Sequence, residues 1–334
     1  MPAHASQDRQ SLSYIARSGF AGGVAGCVAK TVVAPLDRVK ILFQASNPDF
    51  RKYAGTWSGT FRAISQIYGE NGFRGLLQGH SATLLRIFPY AAIKFMAYDQ
   101  IEGLLMPTRE SQTNTRRFAA GALSGMTSVL FTYPLELIRV RMAFSTRNAA
   151  RPSEPYHRPS FLSSMRQIYR EGAPLANASP SASASSSSPA PHPSIFTRFP
   201  ILKFYRGFTV TIAGIIPYAG TSFLAWGFLR ARLLPYPKSK GASTPIADLS
   251  IGAVSGALAQ TVSYPFEVVR RRMQVGGVTR PDRWLRWGET VRGIWGVSGW
   301  RGFYVGLTIG YLKVVPMTAV SYAVWQWQRR ILGL

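Results

Sequence analysis

Apolar and polar positions fall in long blocks along this chain. Residues 12–34 (LSYIARSGFAGGVAGCVAKTVVA) are long enough to cross a bilayer and carry only Arg17 and Lys30 as charges. Residues 81–101, 118–142, 208–231, 247–269 and 304–328 read the same way: apolar, glycine-rich and interrupted by a few polar groups. None is a clean run of twenty apolar residues. That mixture is what a water-filled central cavity demands, because each helix then needs one polar face. Polar stretches follow the first, third and fifth blocks, each holding a short amphipathic segment: TFRAISQIYGENG, SFLSSMRQIYREG and ETVRGIWGVSG. Ile67, Ile168 and Ile294 correspond across them, and the pattern predicts helices lying at the membrane interface. Turns closed by Gly79, Gly207 and Gly306 precede the even blocks.

The blocks repeat in pairs. Pro35-Leu36-Asp37-Arg38-Val39-Lys40 returns as Pro134-Leu135-Glu136-Leu137-Ile138-Arg139 and as Pro265-Phe266-Glu267-Val268-Val269-Arg270. Thirteen residues before each proline a G-x-x-x-G begins, at Gly22, Gly121 and Gly252, with Gly26, Gly125 and Gly256 as its second members. Three copies at one offset define an internal repeat, and the glycine pairs predict close helix packing in a membrane. We therefore expect an all-α membrane protein with six transmembrane helices in three pseudo-threefold repeats, plus the short interfacial helices. The boundaries are a tail at 1–11 and repeats at 12–110, 111–241 and 242–334. Repeat two carries a Ser/Ala/Pro-rich tract at 173–203, expected to be a disordered insertion because it cannot bury a core.

A proline inside a helix removes a backbone hydrogen bond and kinks it. Three helices kinked at one depth would converge there, each offering its acid to one neighbour and its base to the other. The predicted ring is Asp37–Arg139, Glu136–Arg270 and Glu267–Lys40, a breakable closure for one end of a cavity. The even blocks align on Pro89, Pro217 and Pro316, and three residues earlier stand Arg86, Gly214 and Lys313. Five residues before the odd prolines are Lys30, Val129 and Gln260. A symmetric frame thus presents Lys30, Arg86 and Lys313 on one flank and Gly214 with Ile215 on the other, which suits a phosphorylated molecule with a ring. Lys94 is expected to snorkel.

Charge and composition sharpen this. The 39 Lys+Arg against 14 Asp+Glu give a formal net charge of +25, which calls for an anionic partner: nucleic acid, lipid or a small anion. Lys and Arg concentrate in the loops 40–78, 139–206 and 270–301, placing those loops on one side and both termini on the other. The single Cys27 excludes an intrachain disulfide and a cysteine-built metal site, and His4, His80, His157 and His192 show no ligand spacing. Neither metal nor cofactor is expected. The N-terminus lacks the apolar core of a secretory signal peptide.

Across nearly its whole length the chain resembles the mitochondrial carrier family, through the three P-x-[DE]-x-x-[KR] copies, the glycine pairs and the aromatic-basic-glycine turns. The resemblance implies a transporter of the mitochondrial inner membrane, monomeric, in contact with cardiolipin, with both termini toward the intermembrane space and the ring as its matrix gate. A second base in the family pattern is met by Arg141 and Arg272 but not by Leu42; the glutamine that braces the ring is met by Gln44 and Gln274 but not by Ala143. The second gate, on the even helices, keeps at most the pair Asp99–Arg230. That erosion predicts a ligand-free state open to the cytosolic side with its matrix ring intact. Lys30, Arg86, Gly214, Ile215 and Lys313 match the family's substrate contact points. AGGVAGCVAKTVVAPLDRVKILFQ and LLRIFPYAAIKFMAYD resemble the coenzyme A carrier branch, which implies coenzyme A or a related adenine nucleotide such as adenosine 3′,5′-diphosphate. ADP/ATP, ATP-Mg/phosphate and thiamine pyrophosphate carriers are the alternatives within the family.

No G-x-x-x-x-G-K-[ST], H-E-x-x-H or G-x-S-x-G occurs, so an enzyme reading has no support. A nucleic-acid-binding reading rests on net charge alone, while the bases sit at fixed repeat positions. Washing membranes with high salt and then alkali separates the two: the protein is expected to stay in the pellet, whereas a peripheral basic protein is released.

Overall fold

The computed structural model describes residues 12–108, 112–146, 158–171, 199–233, 245–279 and 285–332. The tail 1–11 and residues 173–198 of the Ser/Ala/Pro tract lie outside them. The described chain is helical: α1 Leu12–Gln44, α2 Trp57–Leu76, α3 His80–Leu105, α4 Asn114–Phe144, α5 Phe161–Arg170, α6 Phe208–Leu233, α7 Pro245–Thr279, α8 Trp287–Ser298, α9 Leu307–Leu312 and α10 Val314–Leu332. The last two form one spanning unit interrupted at Lys313. With that unit counted once, α1, α3, α4, α6, α7 and α9–α10 are the six long helices. Four long segments are apolar enough by length and composition to cross a membrane: 19–44, 115–144, 200–233 and 300–331. The other two, α3 and α7, have the length but carry Arg86, Lys94, Asp99 and Glu102, or Glu267 and Arg270 to Arg272.

The main packing runs between repeats. α3 lies on α4, α6 on α7 and α10 on α1, and this last contact closes the bundle into a ring. The odd helices α1, α4 and α7 also touch one another. They run unbroken through Pro35, Pro134 and Pro265. The core concentrates around those prolines and after them: Val39, Leu42 and Phe43 pack on Ile67 and Leu76 of α2, Leu137 and Ile138 on Ile168 of α5, and Val268 and Val269 on Ile294 of α8. The three corresponding isoleucines thus do the same work in each repeat, each anchoring an interfacial helix beneath an odd helix. α2 bends at Gly72, where φ is 65°, a conformation that favours glycine. In repeat two the corresponding 3₁₀ turn, Pro200–Tyr205, begins inside the stretch expected to be disordered. Lys203 there is buried and donates to the carbonyls of Tyr169 and Glu171, so the last residues of that stretch are packed against repeat two rather than disordered.

The glycine pairs behave differently from expectation. A Cβ built on Gly22, Gly26, Gly121, Gly125, Gly252 or Gly256 meets nothing within 4 Å, because no backbone faces these positions in this conformation. Close approach occurs elsewhere, at Gly23 against Phe88 and at Gly214 against Phe266. Since a Cβ on Gly214 would lie 2.9 Å from the Cβ of Phe266, an unyielding neighbour, Gly214→Ala is expected to destabilise by about 1–3 kcal/mol. Gly125→Ala should be neutral or slightly stabilising. Thermal unfolding in detergent distinguishes the two.

Candidate functional site

One turn beyond the odd prolines, the three helices exchange side chains. Arg139 of α4 donates to Asp37 of α1 at 3.0 Å, Lys40 of α1 meets Glu267 of α7 at 2.9 Å, and Arg270 of α7 pairs with Glu136 of α4. These are the partners that the repeat pattern predicts, each pair joining two different repeats. Two of the three pairs are buttressed from below. Gln44 donates to the Tyr264 hydroxyl at 3.0 Å and Gln274 to the Tyr133 hydroxyl at 3.1 Å. The same aromatic rings lie beside two of these cations, with Lys40 5.2 Å from the Tyr264 centroid and Arg270 5.5 Å from that of Tyr133. Each hydroxyl then donates onward, to the carbonyl of Arg206 or Val305 in the turn ahead of the next even helix.

The three carboxylates are not equivalent. Glu136, 5% exposed, faces Arg270, Arg271 at 3.0 Å and Arg86 at 3.4 Å. Asp37, 10% exposed, holds Arg139 on one oxygen and Lys313 on the other at 2.7 Å. Glu267 meets Lys40 and is 27% exposed. Two of the three cations expected to face substrate, Arg86 and Lys313, therefore reach down from the even helices to the ring. Lys30 is different: its Nζ lies 3.4 Å from the Met317 sulfur, with no carboxylate contact described. Gly214 is accounted for by the approach of Phe266, so it offers no open apolar surface of its own, while Ile215 beside it is half-buried. Across the cluster seven cations (Lys30, Lys40, Arg86, Arg139, Arg270, Arg271, Lys313) stand against three carboxylates, an excess of four.

The other end of the bundle lacks such a latch among the described residues. Asp99 is exposed and does not meet Arg230; the arginine sits 3.9 Å from Asp248 at the start of α7 and over the Trp226 ring. The Asp99–Arg230 pair is thus not formed in this conformation, where Asp248 of the neighbouring repeat is the acid that Arg230 approaches. Among the described residues no group of His, Cys, Asp and Glu has the arrangement to hold a metal ion.

Three successive stretches of the chain, residues 11–109, 110–176 and 241–333, match the mitochondrial carrier protein family profile. This chain belongs to the mitochondrial carrier family. Its members are transporters, multi-pass proteins of the mitochondrial inner membrane. Similar relatives include the mitochondrial carrier protein LEU5 of Saccharomyces cerevisiae, 40% identical over 98% of this chain and 93% of that protein. The human solute carrier family 25 member 16 is 35% identical over 96% and 90%, and the maize mitochondrial carrier protein CoAc2 is 34% identical over 94% and 86%.

Sequence reasoning missed two parts of this carrier's ring. Tyr133 and Tyr264 stand directly before their prolines, a match hidden by Ala34 in the first repeat. Arg271 lies within a run of three arginines where the pattern needed one, and only the fold shows that it turns toward Glu136 and Gln274. The charge imbalance gives a test. Glu136→Gln leaves buried Arg271 and half-buried Arg86 and Arg270 short of a counter-ion and is expected to cost about 3 kcal/mol or more. Glu267→Gln, at a more exposed site meeting one base, should cost distinctly less. Thermal unfolding of the purified carriers measures the difference.

Proposed function

We propose that this carrier moves coenzyme A, or a related adenine nucleotide such as adenosine 3′,5′-diphosphate, into the matrix by alternating access, with the Asp37–Arg139, Glu136–Arg270 and Glu267–Lys40 ring as its matrix gate. The carrying observation is the four-cation excess beside the ring. Coenzyme A brings a 3′-phosphate and a pyrophosphate, about four negative charges at neutral pH. ATP has similar charge, and the resemblance of AGGVAGCVAKTVVAPLDRVKILFQ to the coenzyme A carrier branch favours the former. The LEU5 and CoAc2 likenesses are consistent with a carrier of one anionic metabolite class.

The geometry supports a specific coupling. Lys30, which meets a thioether rather than a carboxylate, is the first cation available to an entering phosphate. Lys313 and Arg86 already neutralise Asp37 and Glu136. A phosphate that draws them upward takes counter-ions from the gate acids, so binding and gate release share the same charges. Because the acids hold their cations only while the cavity is empty, the ligand-free carrier rests with its ring closed and the opposite, unlatched end open to the cytosolic side. Both termini then face the intermembrane space, the carrier works as a monomer, and cardiolipin is its lipid partner.

Uptake of labelled coenzyme A, ATP, ADP, thiamine pyrophosphate and adenosine 3′,5′-diphosphate into proteoliposomes tests the reading. Coenzyme A uptake is expected, with Lys30→Ala raising the half-saturation concentration and Arg86→Ala or Lys313→Ala lowering turnover about tenfold, the loss of roughly 1.4 kcal/mol of transition-state stabilisation. Strong ATP uptake without coenzyme A uptake overturns the substrate. Transport undiminished by Arg86→Ala overturns the site.

A further inference from the structure

The three seams of the ring are built by two different devices. At the α4–α7 and α7–α1 seams a glutamine from one helix meets the tyrosine that precedes the proline of the other. At the α1–α4 seam both members are missing together: Ala143 stands in the glutamine position and Ala34 in the tyrosine position. A half-open pocket lies at this seam, lined by Ala34, Asp37, Arg38, Gly79, Arg139 and Ala143 among others. Gly79 corresponds to Gly207 and Gly306, which elsewhere lie against the tyrosine hydroxyls.

A third departure from the repeat falls at the same seam. The residue after the ring acid is Leu137 in α4 and Val268 in α7, both fully buried and apolar, but Arg38 in α1. Arg38 is only 3% exposed. Its Nε donates to the Ala143 carbonyl at 3.3 Å and one terminal nitrogen to the Ser145 carbonyl at 3.3 Å. The other donates to the Gly75 carbonyl in α2. Ala143 and Ser145 flank the C-terminus of α4, where the last carbonyls of a helix have no intrahelical donor and carry partial negative charge. Two neighbours complete the arrangement. Gln78 donates to the carbonyls of Met142 (2.7 Å) and Ser145 (2.9 Å), and Asn47 to that of Phe144 (2.9 Å). Every carbonyl from residue 142 to 145 is thus met by a side chain of repeat one.

We propose that Arg38, with Gln78 and Asn47, is the brace of the first seam: a positioning residue that clasps the α4 C-terminus and holds Arg139 against Asp37 in place of the tyrosine–glutamine pair. The clasp differs in kind from the other two. It grips backbone carbonyls below the ring and leaves the ring cations untouched, so the first seam is fixed independently of the charges that substrate competes for. A buried, forked cation is required, since the planar guanidinium alone reaches three separate acceptors at once.

The test needs no substrate, so its failure is distinct from a failure of the coenzyme A reading. Thermal unfolding of the full-length carrier in detergent is followed for Arg38→Leu, the residue type of repeat two, and for the milder Arg38→Gln in case the first does not fold. Either is expected to lower the midpoint, Arg38→Leu by about 5 °C. Adding Ala34→Tyr and Ala143→Gln, which rebuilds the missing pair at the pocket beside Arg38, should restore most of that loss. The same double substitution should not rescue Gln274→Ala, which weakens a different seam. In proteoliposomes, Arg38→Gln should lower turnover for whichever nucleotide is taken up without changing its half-saturation, and the graft should restore turnover. A midpoint unchanged in the Arg38 variants overturns the proposal, as does a graft that rescues neither variant or rescues Gln274→Ala equally well.

Discussion

Three carboxylates, two of them buried and one half-buried, stand where three helices meet among more cations than they can neutralise, and they are the constraint on which this carrier's structure depends. Such charges are costly at membrane depth unless paired, and here each acid takes its principal partner from another repeat. The pairing therefore ties the three repeats together and fixes the register of α1, α4 and α7 at one height. The rest of the ring end follows from it. The isoleucines of α2, α5 and α8 seal the odd helices from below, and the even helices supply cations from the side.

The surplus of charge matters as much as the pairing. Arg86 and Lys313 lean from the even helices onto Glu136 and Asp37, so the ring carries more positive charge than its three pairs alone would give it. The repeated residues supply the three ring pairs, and the unrepeated ones add Arg86 and Lys313 to two of its acids. Glu136 faces three guanidinium groups while Glu267 meets a single lysine and is the most exposed of the three acids, so the seams carry unequal strength.

Much of this was legible in the chain. The P-x-[DE]-x-x-[KR] copies state the acid, the base and the proline at one spacing, and a closed threefold arrangement leaves each acid facing the next repeat's base. The glycine pairs misled because a small-x-x-x-small pattern says that close packing is possible, while the facing backbone that would use it belongs to the arrangement of whole helices. Asp99 and Arg230 stand apart in this conformation, and the sequence gives no sign that Arg230 approaches Asp248 instead.

The sequence by itself determined the six helices, the ring and its partners, since these depend on periodicity and on the cost of burying unpaired charge. Only the tertiary structure decided that Arg86 and Lys313 lean on the ring acids, that Arg271 joins Glu136, and that Arg38 grips the end of α4 where the other seams use tyrosine and glutamine. The physical reason is reach. A long flexible cation has many acceptors within its radius, and which one it meets is set by helix tilt and by the carbonyls that a neighbouring helix leaves open, neither of which is written in the spacing of residues along a chain.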